Sequence, residues 1–224
     1  MVTSEGDRAR RADRRTRGGL PLAVAVGAST GGPKALLRLL ADLTPPVPTF
    51  VFLVQHIHPR FTGILSRRLG EVSSLAVLEA EEAAVIQPGR VYLAPGGRHL
   101  TVERAGPGVY RTRLTDDPPG HGVRPSVDAL FTSVAEAFGP RAVGVVLTGM
   151  GRDGLAGARA IKAGGGTILA EAAETCVVYG MPRALAEAAL ADRLVPIGSM
   201  AAAIHQVCRR LAEMPVATLL GVRH

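Results

Sequence analysis

Apolar positions along the chain fall into short blocks separated by turn residues. Residues 22–26 (LAVAV), 49–55 (TFVFLVQ) and 142–147 (AVGVVL) are nearly unbroken apolar runs. Runs of that length, bounded by Gly, Pro and Thr, fit strands buried on both faces. Weaker blocks at 75–80, 90–95, 166–170 and 194–197 read as further strands. Between them the spacing changes to that of a helix. Leu36, Leu39, Leu40 and Leu43 share one face of a helix predicted over 35–43, and 61–72 is read as a second. Ser126 is the expected N-cap of a third, with Val127, Leu130, Phe131 and Val134 on its apolar face. Helices are also expected over 155–163 and 182–191, and a last one, capped by Ser199, runs to about Glu213. In the middle of the chain, Gly96-Gly97 is expected to turn 90–95 into a hairpin with 99–104. Residues 109–114 are read as another strand of this insert and 116–124 as a loop. The pattern predicts an α/β fold: a doubly wound, mainly parallel sheet with helices on both faces and an antiparallel hairpin.

Composition sharpens this picture. The 224 residues are 47% hydrophobic but only 4% aromatic, with no Trp, so the core is built from Ala, Val, Leu and Ile. Such a length suits one domain. Of the net charge of +7, three units fall in residues 1–19, where six arginines face Glu5, Asp7 and Asp13. We expect 1–19 to be a basic, disordered tail or linker remnant, 20–215 a catalytic domain and 216–224 a C-terminal tail. The remainder has no basic stripe interleaved with aromatics, so no nucleic-acid partner is expected. No apolar run approaches the roughly 20 residues of a membrane span, so a cytoplasmic chain with no membrane insertion is expected. Cys176 and Cys208 stand in no metal or redox spacing and are read as idle thiols.

Three segments carry candidate chemistry, each just after an apolar strand. Gly27-Ala28-Ser29-Thr30-Gly31-Gly32 fits G-x-S-x-G, a sharp strand-to-helix turn that lifts a serine hydroxyl clear of the backbone. The alternative is a phosphate-binding turn with Ser29 as a helix cap. The glycines do not fit G-x-G-x-x-G, and the second strand ends in Gln55-His56 rather than in an acid. His56 is a candidate base at the mouth of the ligand crevice. With His58 it also suggests a metal pair, but no Cys, His or carboxylate cluster completes such a site, and no metal is expected. In Thr148-Gly149-Met150-Gly151-Arg152-Asp153-Gly154, Asp153 is either the cap of the following helix or a third catalytic group. A serine needs a base to take its proton, and the base needs a carboxylate to fix its tautomer. The order Ser…His…Asp differs from that of the α/β-hydrolases.

These segments, with QHIHPRFTGILSRRL at 55–69, VYLAPGGRHL at 91–100, RPSVDALF at 124–131 and the run 147–185, resemble the catalytic domain of CheB-type chemotaxis methylesterases. The resemblance covers about residues 20–215. It implies Ser29 as nucleophile, His56 as base and Asp153 as orienting carboxylate. The amide of Thr30 is the natural oxyanion donor, as the residue after the nucleophile, and the resemblance adds the backbone at Met150. It implies hydrolysis of glutamate methyl esters on the cytoplasmic domain of methyl-accepting chemoreceptors, with methanol released. In many members it also implies deamidation of receptor glutamines. No cofactor is needed. The family usually carries an N-terminal receiver domain where this chain has its arginine-rich segment, so a receiver is expected either to have been removed or to act in trans, if at all. Glu171-Ala172-Ala173-Glu174 replaces the family's usual Gln-Asp-Glu-type run and receives no role. Lys34, Arg60 and Arg98 are candidate guides for an acidic receptor surface. Three rivals stay open on the residues alone: a nucleotide-binding module, a non-catalytic receptor-docking protein and a small-molecule carboxylesterase.

Overall fold

The computed structural model describes residues 21–118 and 122–214. The expected basic tail, the C-terminal tail and the tip of the 116–124 loop lie outside the described residues. Nine strands are described: β1 (Leu22–Ala28), β2 (Thr49–Gln55), β3 (Ala76–Glu79), β4 (Arg90–Leu93), β5 (His99–Gly106), β6 (Val109–Thr115), β7 (Ala142–Val146), β8 (Thr167–Glu171) and β9 (Arg193–Val195). The helices are α1 (Gly32–Asp42), α2 (Pro59–Val72), α3 (Val127–Phe138), α4 (Leu155–Ala163), α5 (Met181–Glu187) and α6 (Ile197–Glu213).

Seven strands form one sheet in the order β3-β4-β2-β1-β7-β8-β9, every neighbouring pair parallel. Alternate residues of a strand face opposite sides, so each buried run feeds two cores. Val24, Val26, Val51, Leu53 and Val145 meet Leu36, Leu40, Leu65, Leu69, Ile204 and Leu211 from α1, α2 and α6. On the other face Ala23, Ala25, Phe50 and Phe52 meet Leu130, Phe131, Ile161 and Leu185 from α3, α4 and α5. Small residues on that face let α3 lie close. A Cβ on Gly27 would stand 2.4 Å from Val127 Cγ1, and one on Gly144 would stand 3.0 Å from the Phe131 ring.

The chain leaves β1 toward β2 on one side and returns from α3 to β7 on the other. The strand order therefore reverses at β1, and the carboxyl ends of β1, β2 and β7 frame the crevice where open α/β sheets bind ligands.

Two expectations are corrected. Residues 90–95 and 99–104 do not form a hairpin. β4 is hydrogen-bonded to β2 and β3 on its two sides, which leaves it no edge for a third partner. β5 instead pairs antiparallel with β6. The turn of that hairpin lies at Pro107-Gly108, where Gly108 takes φ 70°, a left-handed conformation natural to glycine. β6 buries alternate residues, as a strand lying with one face on protein does. Ser199 does not cap α6. The helix begins at Ile197, whose amide donates to Thr175 Oγ1 at 3.1 Å, and Ser199 N–H donates to Pro196 O in the first turn. A hydroxyl from another segment thus supplies the acceptor expected of Ser199.

Candidate active site

Ser29 follows β1 directly. Its N–H donates to Thr148 O at 3.0 Å, and its carbonyl accepts from Gly32 N at 2.8 Å and Gln55 Nε2 at 2.9 Å. The turn requires its glycines. Gly31 has φ 82°, and a Cβ there would meet Val177 at 2.5 Å; a Cβ on Gly32 would overlap the Gln55 amide. With the Ser29 carbonyl fixed toward Gln55 and Gly32, the planar trans peptide directs Thr30 N–H the opposite way. That amide has no hydrogen-bond partner among the described residues.

His56 follows β2. The register pairs Ala28 with Gln55, and His56 N–H donates to Ala28 O at 3.0 Å. Ser29 and His56 are thus each one residue past a matched pair on neighbouring parallel strands, which lie roughly 4.8 Å apart. The Ser29 hydroxyl makes no hydrogen bond among the described residues. No hydrogen bond joins it to His56 in this structure.

Asp153 lies 97 residues from His56 in sequence, yet its Oδ2 is 2.7 Å from His56 Nε2. It does not cap the helix that follows it. Its carboxylate caps a helix, but that helix is α3. It accepts from Val127 N at 2.7 Å, Asp128 N at 3.0 Å and the Ser126 hydroxyl at 2.8 Å. α4 starts instead from Gly154 at φ 97° with no side-chain cap. Burial by itself would raise the Asp153 pKa. The hydrogen bonds from His56, Val127, Asp128 and Ser126 outweigh it and hold the carboxyl below the usual aspartate value. The positive end of α3 adds to this preference for the ionised form. Asp153 is therefore a carboxylate that takes Nε2–H from His56, leaving Nδ1 with a lone pair for a second partner.

The segment after β7 completes the rim. Gly149 O accepts from Gly180 N at 3.0 Å and Met181 N at 2.8 Å, so the trans peptide turns Met150 N–H away from them. That amide is also without a hydrogen-bond partner among the described residues. Gly149 is the close neighbour of the serine: a Cβ on it would lie 2.8 Å from Ser29 Cβ. The side chains of Met150 and Val177 are exposed beside this turn.

A protein-family description of CheB methylesterase matches residues 24–204. The chain belongs to the CheB methylesterase family. A relative in Moorella thermoacetica named protein-glutamate methylesterase/protein-glutamine glutaminase is 49% identical over 181 residues, 81% of this chain and 43% of that protein. One of that name in Myxococcus xanthus (numbered 5) is 48% identical over 186 residues, 83% of this chain and 53% of that protein. The crystal structure of the Thermotoga maritima CheB methylesterase catalytic domain superposes with a TM-score of 0.80 at 39% identity, covering 83% of this chain and 98% of that one. The chain spans about half the length of the curated relatives it matches.

Within this CheB-family site, His58 is placed at the start of α2. Its ring accepts from Arg60 N and caps α2. Among the described residues no group of three or more His, Cys, Asp or Glu is placed to hold a metal ion. Arg98 donates to Leu114 O and Asp116, so its guanidinium is committed within the fold, while Lys34 and Arg60 stand exposed. The sequence reading gave no role to Gln55, Thr148 or Glu171, and cast Ser126 only as a cap. Gln55 and Glu171 shared one legible signal: a polar residue ending an apolar strand at the carboxyl edge of the sheet.

Proposed function

We propose that the chain hydrolyses methyl esters of glutamate side chains on the cytoplasmic helices of chemoreceptors, with Ser29 as nucleophile. The observation that supports this best is the anchored pair His56–Asp153, at 2.7 Å, held one strand away from Ser29. In this reading His56 Nδ1 takes the Ser29 proton as Oγ attacks the ester carbonyl. The ring nitrogen that bonds the carboxylate is then the one opposite to that of the Ser-His-Asp template, with the chemistry unchanged. The tetrahedral oxyanion is met by Thr30 N–H and Met150 N–H. Each such donor is worth on the order of 10²–10³ in rate. The imidazolium protonates the departing methoxide, methanol leaves, and water attacks the glutamyl-serine ester by the reverse proton path. An amide in place of the ester gives glutamine deamidation by the same steps, with ammonia leaving. No step calls for a metal or an organic cofactor.

Among the described residues no helix is long and apolar enough to cross a membrane. The reading places the chain in the cytoplasm, where receptor helices present methylated glutamates. Lys34 and Arg60, exposed beside the crevice, suit an acidic receptor surface. The test is methanol release from a methylated receptor fragment. Ser29→Ala is expected to abolish it with the fold intact, and turnover in that variant at the wild-type rate removes the serine mechanism. Rapid cleavage of simple aryl esters with no action on the receptor fragment favours a small-molecule carboxylesterase instead.

A further inference from the structure

Thr148 is 1% exposed and uses every polar atom it has. Its carbonyl accepts Ser29 N–H at 3.0 Å, and its hydroxyl has Thr30 O at 3.0 Å as the nearer acceptor and Val178 O at 3.3 Å as a second. The hydroxyl oxygen accepts Val178 N–H at 2.9 Å, and Thr148 N–H donates to Glu171 Oε2 at 2.8 Å. Glu171 is fully buried, and its second oxygen takes the Thr175 hydroxyl at 2.9 Å; Thr175 Oγ1 in turn accepts Ile197 N–H at the start of α6. A carboxylate outside the triad, with no part in proton transfer, thus sits at the base of a brace that ends at the nucleophile turn.

The geometry of the brace is specific. Ser29 N and Thr30 O lie on either side of the Ser29–Thr30 peptide, and Thr148 holds both. The Gly149–Met150 peptide is the next but one along the chain from the Thr148 amide. The two unpartnered amides, Thr30 N–H and Met150 N–H, therefore sit on two turns joined through one side chain. We propose that Thr148 is a positioning residue that sets the spacing of the two oxyanion donors, and that Glu171 fixes Thr148. This rests on the reading of Ser29 as nucleophile and of those amides as donors.

The test uses the full chain and a methylated receptor fragment, with kcat and KM for methanol release and the rate of Ser29 phosphonylation by a serine-directed phosphonate. Thr148→Val keeps the shape and loses the hydroxyl. It is expected to lower kcat and the phosphonylation rate together by roughly 10- to 100-fold, the size of a misplaced catalytic group or a weakened donor, with KM within about twofold. Thr148→Ser keeps the hydroxyl and is expected to stay within about threefold of wild type in both. If the valine variant does not fold, Thr148→Ala against Thr148→Ser gives the same comparison. A hydroxyl-free variant with near-wild-type kcat overturns the proposal, as does a serine variant that falls as far as valine. So does a loss confined to thermal stability. Ser29→Ala run alongside separates the two ideas: turnover without Ser29 sinks the serine reading, whereas an inactive Ser29→Ala beside a fully active Thr148→Val sinks the brace alone.

Discussion

Gly27→Ala adds one methyl group two residues before Ser29, and its consequence can be worked from the packing of α3. The new Cβ would meet Val127 Cγ1 at 2.4 Å and Cγ2 at 2.5 Å. Rotating Val127 offers no escape, because both methyls already face Gly27 and its Cβ is 3.0 Å away. Ordinary contact begins at 3.4 Å, so the start of α3 must retreat by about 1 Å. Val127 N–H and Ser126 Oγ are two of the groups that hold Asp153, so the carboxylate retreats with them from His56. Overpacking of this kind costs about 1–3 kcal/mol of stability. A displacement of that size between catalytic groups costs on the order of 10²-fold in rate. The assays are denaturant unfolding and methanol release. Val127→Ala removes the two offending methyls, at a cost of about 1–2 kcal/mol when made alone. In Gly27→Ala/Val127→Ala the pair is expected to recover most of the lost kcat, a coupling that independent sites do not show. A Gly27→Ala protein with wild-type kcat, or a double variant no better than the single, refutes the idea that close approach of α3 sets the His56–Asp153 contact.

Three further outcomes are expected. Ser126→Ala removes a hydroxyl bonded to a carboxylate, about 1.5–3 kcal/mol, together with a long 3.5 Å capping contact worth little more. Urea unfolding reads this, and a change below about 0.5 kcal/mol counts against the anchor; kcat should fall only about tenfold, because Val127, Asp128 and His56 still hold Asp153. Since the folded state lowers the Asp153 pKa, its contribution to stability is full above the unfolded aspartate value near ~3.9 and is lost as pH falls through the folded value. The stability gap between wild type and Asp153→Asn should therefore shrink as pH drops below about 4; a gap that widens there contradicts a lowered pKa. Burial, then the charges of Glu171 and Glu174, push the Cys176 thiol up to about 12, and burial pushes Cys208 to about 11. Iodoacetamide at pH 8 should modify both slowly and spare activity, and rapid alkylation with loss of turnover would show that one of them is exposed and functional.

The parts of the fold read correctly from the chain are those set by local order. β1, β2 and β7 are continuous apolar runs, and a run buried on both faces announces itself without reference to its neighbours. The left-handed φ of Gly31 is equally local, whereas the crowding that excludes a side chain at Gly31 and Gly32 comes from Val177 and Gln55, distant in sequence. Strand partnership is not local. β4 and β5 are separated by a Gly-Gly turn that would suit a hairpin, yet β4 is claimed on both sides by β2 and β3. Ser199 looked like a cap because serine caps helices, but Thr175, distant in sequence, already held the amide of Ile197.

The site divides in the same way. The sequence by itself determined that Ser29, His56 and Asp153 follow buried parallel strands, and so reach one edge of one sheet. Only the tertiary structure decided that Asp153 is held by the start of α3, that His56 turns Nε2 toward it, and that Thr148 and Glu171 brace the serine turn. Hydrophobic period and backbone sterics act between residues a few positions apart and leave their mark in order along the chain. A hydrogen bond between groups 97 residues apart leaves none, because it exists only once the sheet has brought its strand ends together.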